Sequence, residues 1–140
     1  MPTSAEIKKA LVAAGLEVYR TRGDMVHLAE RVRENLLMDA GIFVHAGAPK
    51  VVFVVRAQRS DFPSEGDERL FERARGLAVT AIDRGFVEVA AEARDVHHPS
   101  DVGRKLDTFC EVHFEKVVTD VDAVVAEARF ALGLEKTVSR

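Results

Sequence analysis

The side chains best suited to catalysis or metal binding are one cysteine and five histidines. Cys110 and His113 lie three positions apart, and a nearby imidazole can convert a thiol into a nucleophilic thiolate. Residues three apart on a strand, however, point to opposite faces. Cys110 shares its parity with the apolar Val112 and Phe114, where a free cysteine packs as a small hydrophobic residue. We therefore predict that Cys110 is buried in the core, and we assign no catalytic residue.

Two adjacent histidines, His97 and His98, occur with Asp101 in a segment rich in turn-forming residues. Imidazole and carboxylate groups are suitable ligands for zinc or nickel. The fold would have to bring further histidines to this turn, namely His27, His45 and His113. A polar, exposed loop explains the same residues more simply. We therefore predict no metal site, and we leave open whether the histidines converge on a ligand.

The motifs that mark the commonest enzyme classes do not occur in this sequence. It contains no GxxxxGK[ST] phosphate-binding loop, no GxGxxG, no HExxH and no CxxC. The GxSxG sequence of a hydrolase nucleophile elbow is also missing. These absences argue against the commonest enzymes, and no cofactor is predicted.

Arginines offer a different chemistry, because a guanidinium combines bidentate hydrogen bonding with a flat stacking surface. Arg56, Gln58, Arg59 and Phe62 leave the predicted central strand where a partner surface could form. Side chains that emerge from a rigid strand lose little entropy on binding. We predict that these four residues bind a partner protein.

Two further pairs, Arg20 with Arg22 and Arg31 with Arg33, would lie side by side if their segments form a hairpin. Such a patch could hold a carboxylate or a phosphate. Charged side chains on an exposed strand also prevent sheets from aggregating edge to edge. We favour this second interpretation.

Three helices are indicated by capping residues and by apolar positions on one face. The first begins with Thr3-Ser4-Ala5-Glu6, which has the spacing of a capping box. Glycine at the end of each apolar stripe is typical of a helix terminus. The predicted helices lie between Thr3 and Gly15, between Ser64 and Gly85, and between Thr119 and Gly133.

Strands are predicted in the remaining segments. Lys50–Gln58 is β-branched and apolar on both faces, as in a central strand. Residues 86–96 and 108–118 each alternate between apolar and polar positions. They are predicted to pair as an antiparallel hairpin, with residues 97–103 as a long exposed loop.

The segment from Leu16 to His45 admits two interpretations. Residues 17–21 and 25–33 could form a hairpin around a Gly-Asp turn, and residues 42–45 would then lead into the central strand. Residues 25–36 also carry a helical stripe. We favour the hairpin and leave open whether residues 25–40 are strand or helix.

Size and charge limit the function classes further. The 140 residues are predicted to form one domain, residues 1–140, with 47% hydrophobic and 31% charged residues. Twenty Lys and Arg against 23 Asp and Glu give a net charge of −3 without a concentrated basic patch, so nucleic acid is not an expected partner. The absence of a long apolar run, of a signal peptide and of a second cysteine favours a cytoplasmic protein without membrane association.

The predicted fold is α+β: an antiparallel sheet of about five strands with three helices, in the order α-β-β-(β)-β-α-β-β-α. In size, acidity and element order the chain resembles the small dimeric chaperones of type III secretion and the related YbjN-type domains. The resemblance implies a protein-binding function, and it assigns no role to any single residue.

The sequence favours a non-enzymatic protein-binding module, an adaptor or small chaperone-like protein. Residues 51–55 are apolar on both faces, so the strand needs cover on two sides, and a second copy of the chain could supply it. We therefore expect a homodimer that binds another protein. The alternative is a small enzyme or ligand-binding protein with a pocket between sheet and helices.

Overall fold

The computed structural model describes residues 2–140 and is α+β, with a six-stranded antiparallel open sheet and four helices. The helices are α1 Ser4–Ala13, α2 Asp67–Gly76, α3 Val79–Asp83 and α4 Val121–Leu132. The strands are β1 Val18–Arg22, β2 Met25–Arg33, β3 Leu36–His45, β4 Lys50–Gln58, β5 Val87–His98 and β6 Asp101–Val117, in the sheet order β1-β2-β3-β4-β6-β5. The predicted α+β class is confirmed, with one strand and one helix more than expected.

The chain divides into two compact units. The first comprises Met1–Phe53 and Glu115–Leu134, and the second comprises Val54–Phe114 and Glu135–Arg140. Strands β4 and β6 contribute residues to both units.

The first unit contains the β1–β2 hairpin predicted around Gly23, whose φ of +58° is a conformation that glycine adopts without strain. The cross-strand pairs Val26↔Val44 and Val44↔Val51 align buried valines on one face of the sheet. Helix α1 contacts β1 and β2, and α4 contacts β3. The core of this unit therefore lies between that face and the two helices.

The helices of the first unit begin at the predicted capping residues. Thr3 Oγ1 accepts a hydrogen bond from the Glu6 amide at 3.2 Å. The Asp120 carboxylate accepts one from the Ala123 amide at 2.8 Å. Both side chains satisfy first-turn amides that have no partner within the helix.

Residues 25–40 are strand, so the helical alternative is wrong. Strand β2 ends at Arg33, and the pair Arg33↔Leu36 closes a tight turn over Glu34 and Asn35. Strand β3 then begins at Leu36, six residues before the predicted strand at 42–45. The sequence does not reveal this turn, because apolar residues recur at even-numbered positions through both strands and keep the same parity on both sides of Glu34 and Asn35.

The second unit contains α2, α3, β5, most of β6 and the end of β4. A short C-terminal segment runs parallel to β4 through the pair Arg56↔Thr137. The Arg56 amide donates to the Lys136 carbonyl at 2.8 Å, and the Val138 amide donates to the Arg56 carbonyl at 2.9 Å. The backbone at Arg56 is thereby fixed on the side of β4 that faces this segment.

The predicted helix between Ser64 and Gly85 is two helices. It begins at Asp67, and α2 ends at Gly76. The amides of Leu77 and Ala78 each bond to a carbonyl three residues earlier, at 3.0 Å, which tightens the last turn. Gly76 has low helix propensity, which favours a break at this point before α3.

The long loop predicted at residues 97–103 is also wrong. Strand β5 extends to His98 and β6 begins at Asp101, which leaves only Pro99 and Ser100 between them. This end of the hairpin is largely exposed on both faces. It therefore carries no apolar alternation by which strands are detected in a sequence.

Within residues 2–140, no helix is long and apolar enough to cross a membrane.

Candidate functional site

Strand β6 presents two different faces within the second unit. Cys110, Val112 and Phe114 are fully buried on one face. The opposite face carries Phe109, Glu111 and His113. The alternation predicted from the sequence therefore holds, and the polar face is the candidate site.

Cys110 is a core residue, as predicted. Its side chain is fully buried and reduced. Burial raises the pKa of the Cys110 thiol, and the nearby Asp67 carboxylate acts in the same direction. A protonated, enclosed thiol is a poor nucleophile.

Glu111 is a buried carboxylate, with only 6% of the residue exposed. Arg56 of β4 places its Nη2 atom 3.1 Å from Oε2 of Glu111. Arg94 of β5 donates from Nε to Oε1 of the same carboxylate, also at 3.1 Å. A buried carboxylate is stable only when it is paired, so Glu111 and the two arginines fix one another in position.

The same two arginines lie against one aromatic ring. The guanidinium carbon of Arg56 is 4.8 Å from the centroid of the Phe109 ring, and that of Arg94 is 5.2 Å from it. Both distances are in the range of a cation–π interaction. Arg56, Arg94, Phe109 and Glu111 together form what we call the arginine cluster.

The arginine cluster keeps donors available to a ligand. The Arg56 side chain is 32% exposed and the Arg94 side chain is 52% exposed. Each guanidinium has five N–H donors, and the single carboxylate of Glu111 cannot engage all of them. Two positive charges against one negative charge leave the cluster with a net charge of +1. The cluster is therefore suited to binding a carboxylate or another oxyanion.

His113 lies two residues beyond Glu111 on the same face of β6. Its Nε2 atom is 3.4 Å from Oε1 of Glu92 on β5. This nitrogen is buried, and it has no hydrogen-bond partner among the described residues. The pair of His113 and Glu92 extends the polar row along β6. Within residues 2–140, no further acidic or basic side chain forms an ion pair or hydrogen bond with His113.

Two of the predicted partner-binding residues lie on this face of β4. Arg56 belongs to the arginine cluster. Gln58 has the same parity two residues further on, and it is half-buried.

The other two predicted partner-binding residues lie in the turn between β4 and α2. The Arg59 guanidinium forms an ion pair with Asp67 of α2. The Phe62 ring is covered by the guanidinium of Arg73, whose central carbon is 4.1 Å from the ring centroid. Both residues thus help to attach the turn to the helix, and their part in binding stays a prediction.

Sequence reasoning missed Arg94, Phe109 and Glu111. A usable signal was present, because an arginine within an apolar strand requires a countercharge on a neighbouring strand. The polar positions of β6 were recognised, but nothing in the sequence specifies that Glu111 is the one beside Arg56.

The hairpin does not bring the two arginine pairs of the first half side by side, so the shared patch considered as an alternative does not form. Arg20 pairs across β1 and β2 with His27, whereas Arg31 pairs with Leu37 of β3. The Arg31 guanidinium instead donates to both oxygens of Glu17, at 2.9 and 3.1 Å. The hairpin is shorter than a shared arginine patch requires.

The histidines show no metal-binding arrangement. No group of three side chains from histidine, cysteine, aspartate or glutamate is placed to hold a metal ion anywhere in residues 2–140. In the turn, His98 Nδ1 accepts a hydrogen bond from the Ser100 amide at 3.1 Å. His27 packs edge-on against the Phe43 ring, at 5.1 Å between centroids.

An open depression of about 480 Å³ lies in the first unit. Lys50 and Glu115 line it and pair with each other at 3.2 Å. A smaller depression of about 200 Å³ in the second unit includes Arg59, Ser60 and Asp107. Arg59 pairs with Asp67, and Asp107 accepts hydrogen bonds from Ser60, so these groups are engaged within the chain.

In comparisons with known proteins, no family model, no curated protein and no solved structure matches this chain. Its function is therefore argued from the geometry of its own residues.

Proposed function

We propose that this chain is a non-enzymatic protein-binding module, an adaptor or small chaperone-like protein, whose arginine cluster holds an acidic segment of another protein. The observation that carries the proposal is the pair of guanidinium groups fixed on one buried carboxylate and one aromatic ring. The resemblance of the element order to small secretion chaperones favours the same class of function.

Fixed arginines suit this role because ordering flexible side chains is a large cost of association. Arg56 is held by Glu111 and Phe109, and its backbone is bonded to the C-terminal segment. Arg94 is held by the same two side chains from the other side. A partner carboxylate would meet donors that are already oriented, and the partly exposed Phe109 ring adds an apolar contact. Arginine and aromatic residues are enriched at the centres of protein interfaces.

The partner is expected to be acidic for an electrostatic reason. The arginine cluster has a local net charge of +1, whereas the whole chain carries a net charge of −3. A generally acidic ligand is therefore repelled by the chain as a whole, and only a segment that reaches the cluster gains from its donors. This arrangement gives specificity more than raw affinity.

The proposal is tested by selecting binders from a random peptide library on the immobilised protein. We expect the selected peptides to be enriched in aspartate and glutamate. The double variant Arg56→Lys with Arg94→Lys keeps both charges but loses bidentate bonding and ring stacking, so it should bind these peptides at least about tenfold more weakly, or about 1.4 kcal/mol.

The matched control is Arg20→Lys with Arg22→Lys, which makes the same substitutions on exposed residues of β1. It should bind like the unmodified chain. Peptides without acidic enrichment, or equal binding by both double variants, would refute the proposal. Selective binding of small molecules with no peptide binding would favour the alternative, a ligand-binding protein.

A further inference from the structure

Strand β5 is one end of the sheet, so one of its edges pairs with no other strand of residues 2–140. The strand has twelve residues, and every residue from Val87 to Asp95 is exposed. An edge of this length presents a row of backbone N–H and C=O groups that another strand can pair with.

Natural edge strands usually carry features that prevent such pairing. The opposite edge strand, β1, has five residues, an irregular register between Val18 and Arg20, and two exposed arginines. Strand β5 is more than twice as long and contains neither proline nor lysine. Ala90 and Ala91, in its first half, are small side chains that allow a second strand to approach closely. The edge of β5 therefore offers a longer row of backbone groups than β1, and its charged residues carry both signs, so a second strand can match them.

Large apolar side chains are exposed on β5 and on the helix that precedes it in the chain. Val87 and Val89 of β5 are 62% and 50% exposed, and Val79 and Ile82 of α3 are 58% and 53% exposed. Val87 and Val89 are two residues apart on one strand, so they share a face and form a local exposed apolar patch of the kind found at interfaces.

We infer that a second copy of this chain pairs with β5 in antiparallel orientation, about a two-fold axis at Ala91. In that register Ala91 faces its own copy and Val89 faces Ala93 of the second copy. Glu88 of each chain lies opposite Arg94 of the other, so the interface contains two symmetric pairs of opposite charge. The strand is thus complementary to itself in shape and in charge.

Other two-fold axes give poorer pairs. Directly opposite residues of an antiparallel pair point to the same face of the sheet. A two-fold axis between two copies of one strand must therefore lie midway between a residue and its own copy. An axis at Ala90 puts Glu88 opposite Glu92, and an axis at Glu92 puts that carboxylate opposite its own copy. An axis at Ala93 puts Val89 opposite an imidazole. The register at Ala91 is the one in which the charges attract and the valine meets an apolar partner.

The charged groups retain the capacity for these contacts. The Glu88 carboxylate accepts from two nitrogens of Arg75, at 2.8 and 3.0 Å, and a carboxylate has about four acceptor positions. Arg94 uses Nε for Glu111, and one of its two other nitrogens can donate to Glu88 of the second chain. The third nitrogen of Arg94 and the Arg56 guanidinium then stay available to an acidic segment. Each intramolecular pair therefore holds its side chain in place for the second chain.

Disulfide trapping tests this register directly. In a Cys110→Ala background, Ala91→Cys should form a disulfide-linked dimer under mild oxidation, because the two thiols face each other. Ala93→Cys is the matched control. It lies about 13 Å from its own copy, at four strand positions of roughly 3.3 Å each, which is too far for a disulfide.

Light scattering of the unmodified chain provides the independent measurement. We expect a mass twice 15.4 kDa at micromolar concentration. Val89→Lys should reduce the mass to that of one chain while the far-ultraviolet circular dichroism stays native. A mass of 15.4 kDa for the unmodified chain, or trapping at position 93 without trapping at 91, would overturn the inference. The single-chain variant should still bind acidic peptides, so failure of the dimer is distinguishable from failure of the proposed function.

Discussion

At the scale of single residues, Glu111 is the side chain on which the arginine cluster depends. Its side chain is 8% exposed, and its carboxylate is the shared counterion of Arg56 and Arg94. Glu111→Gln keeps the shape but removes the negative charge, which leaves two guanidinium groups close together without compensation. We expect the free energy of unfolding to fall by about 1.5–3 kcal/mol, the range for hydrogen bonds to charged groups. Chemical denaturation of the variant and of the unmodified chain measures this change in unfolding free energy.

The control for this variant is Glu30→Gln, at an exposed position of β2. A surface substitution of this kind changes stability by no more than about 0.5 kcal/mol. If Glu111→Gln proves as mild as Glu30→Gln, the carboxylate does not hold the two arginines together.

Cys110 gives the second prediction at this scale. The residue is fully buried on the apolar face of β6, so Cys110→Ala removes one packed atom and leaves a small void. We expect a loss of about 1 kcal/mol in unfolding free energy, at the low end for large-to-small core substitutions. A thiol reagent should modify the native protein only as fast as the protein unfolds. Rapid modification under native conditions would show that the thiol is accessible.

At the scale of elements, helix α2 is attached by carboxylate–guanidinium pairs. Arg73 donates to both oxygens of Glu65 at 2.6 and 2.9 Å, and Arg75 donates to both oxygens of Glu88 on β5. The hydrogen bonds from Arg73 lower the pKa of Glu65, and those from Arg75 lower the pKa of Glu88. These pairs connect α2 to the turn before it and to the edge strand.

The lowered pKa values predict acid sensitivity with a defined sign. A carboxyl whose pKa is lower in the folded state contributes its full stability above its ordinary pKa, which is 4.5 for these glutamates. That stability is lost as the pH falls through the lowered pKa. Urea unfolding between neutral pH and pH about 3 should show a decline that begins near 4.5. The double variant Glu65→Gln with Glu88→Gln should show a shallower decline, and an unchanged slope would contradict this assignment.

The elements that were predicted correctly are those with local causes. Thr3 and Asp120 cap α1 and α4 through hydrogen bonds to amides three residues away, so the signal and the structure lie in the same short segment. The alternation of Cys110, Val112 and Phe114 with Glu111 and His113 likewise follows from strand geometry alone. Helix capping and the alternation of apolar residues along a strand are each determined within a single element, so a sequence can reveal them.

Of the elements that were predicted wrongly, the end of the β5–β6 hairpin depends on pairing between segments, whereas the break after Gly76 has a local cause. The break after Gly76 divides a stripe that looks continuous in sequence. The exposed end of the β5–β6 hairpin has no buried face, so the turn-forming residues near Pro99 suggested a loop. Pairing across the hairpin keeps this region extended without an apolar pattern.

At the scale of the whole chain, the candidate site unites residues that are remote in sequence. Arg56 was predicted as a recognition residue because it emerges from a central strand. Its partners Arg94, Phe109 and Glu111 come from two other strands, and only the sheet order β4-β6-β5 makes them neighbours. A single sequence contains the polar positions of each strand but not the register between strands. Of the four members only Arg56 could be predicted, and the cluster itself could not.

The central claim is that Arg56 and Arg94 bind acidic segments of another protein. The most direct measurement is the arginine Nε–H signals in nuclear magnetic resonance spectra of the nitrogen-15-labelled chain, during titration with a selected acidic peptide. We predict that the signals of Arg56 and Arg94 shift in a saturable manner, whereas those of the exposed Arg20 and Arg22 stay in place. Equal, non-saturating shifts of all four signals, or no shift at Arg56 and Arg94, would contradict the account.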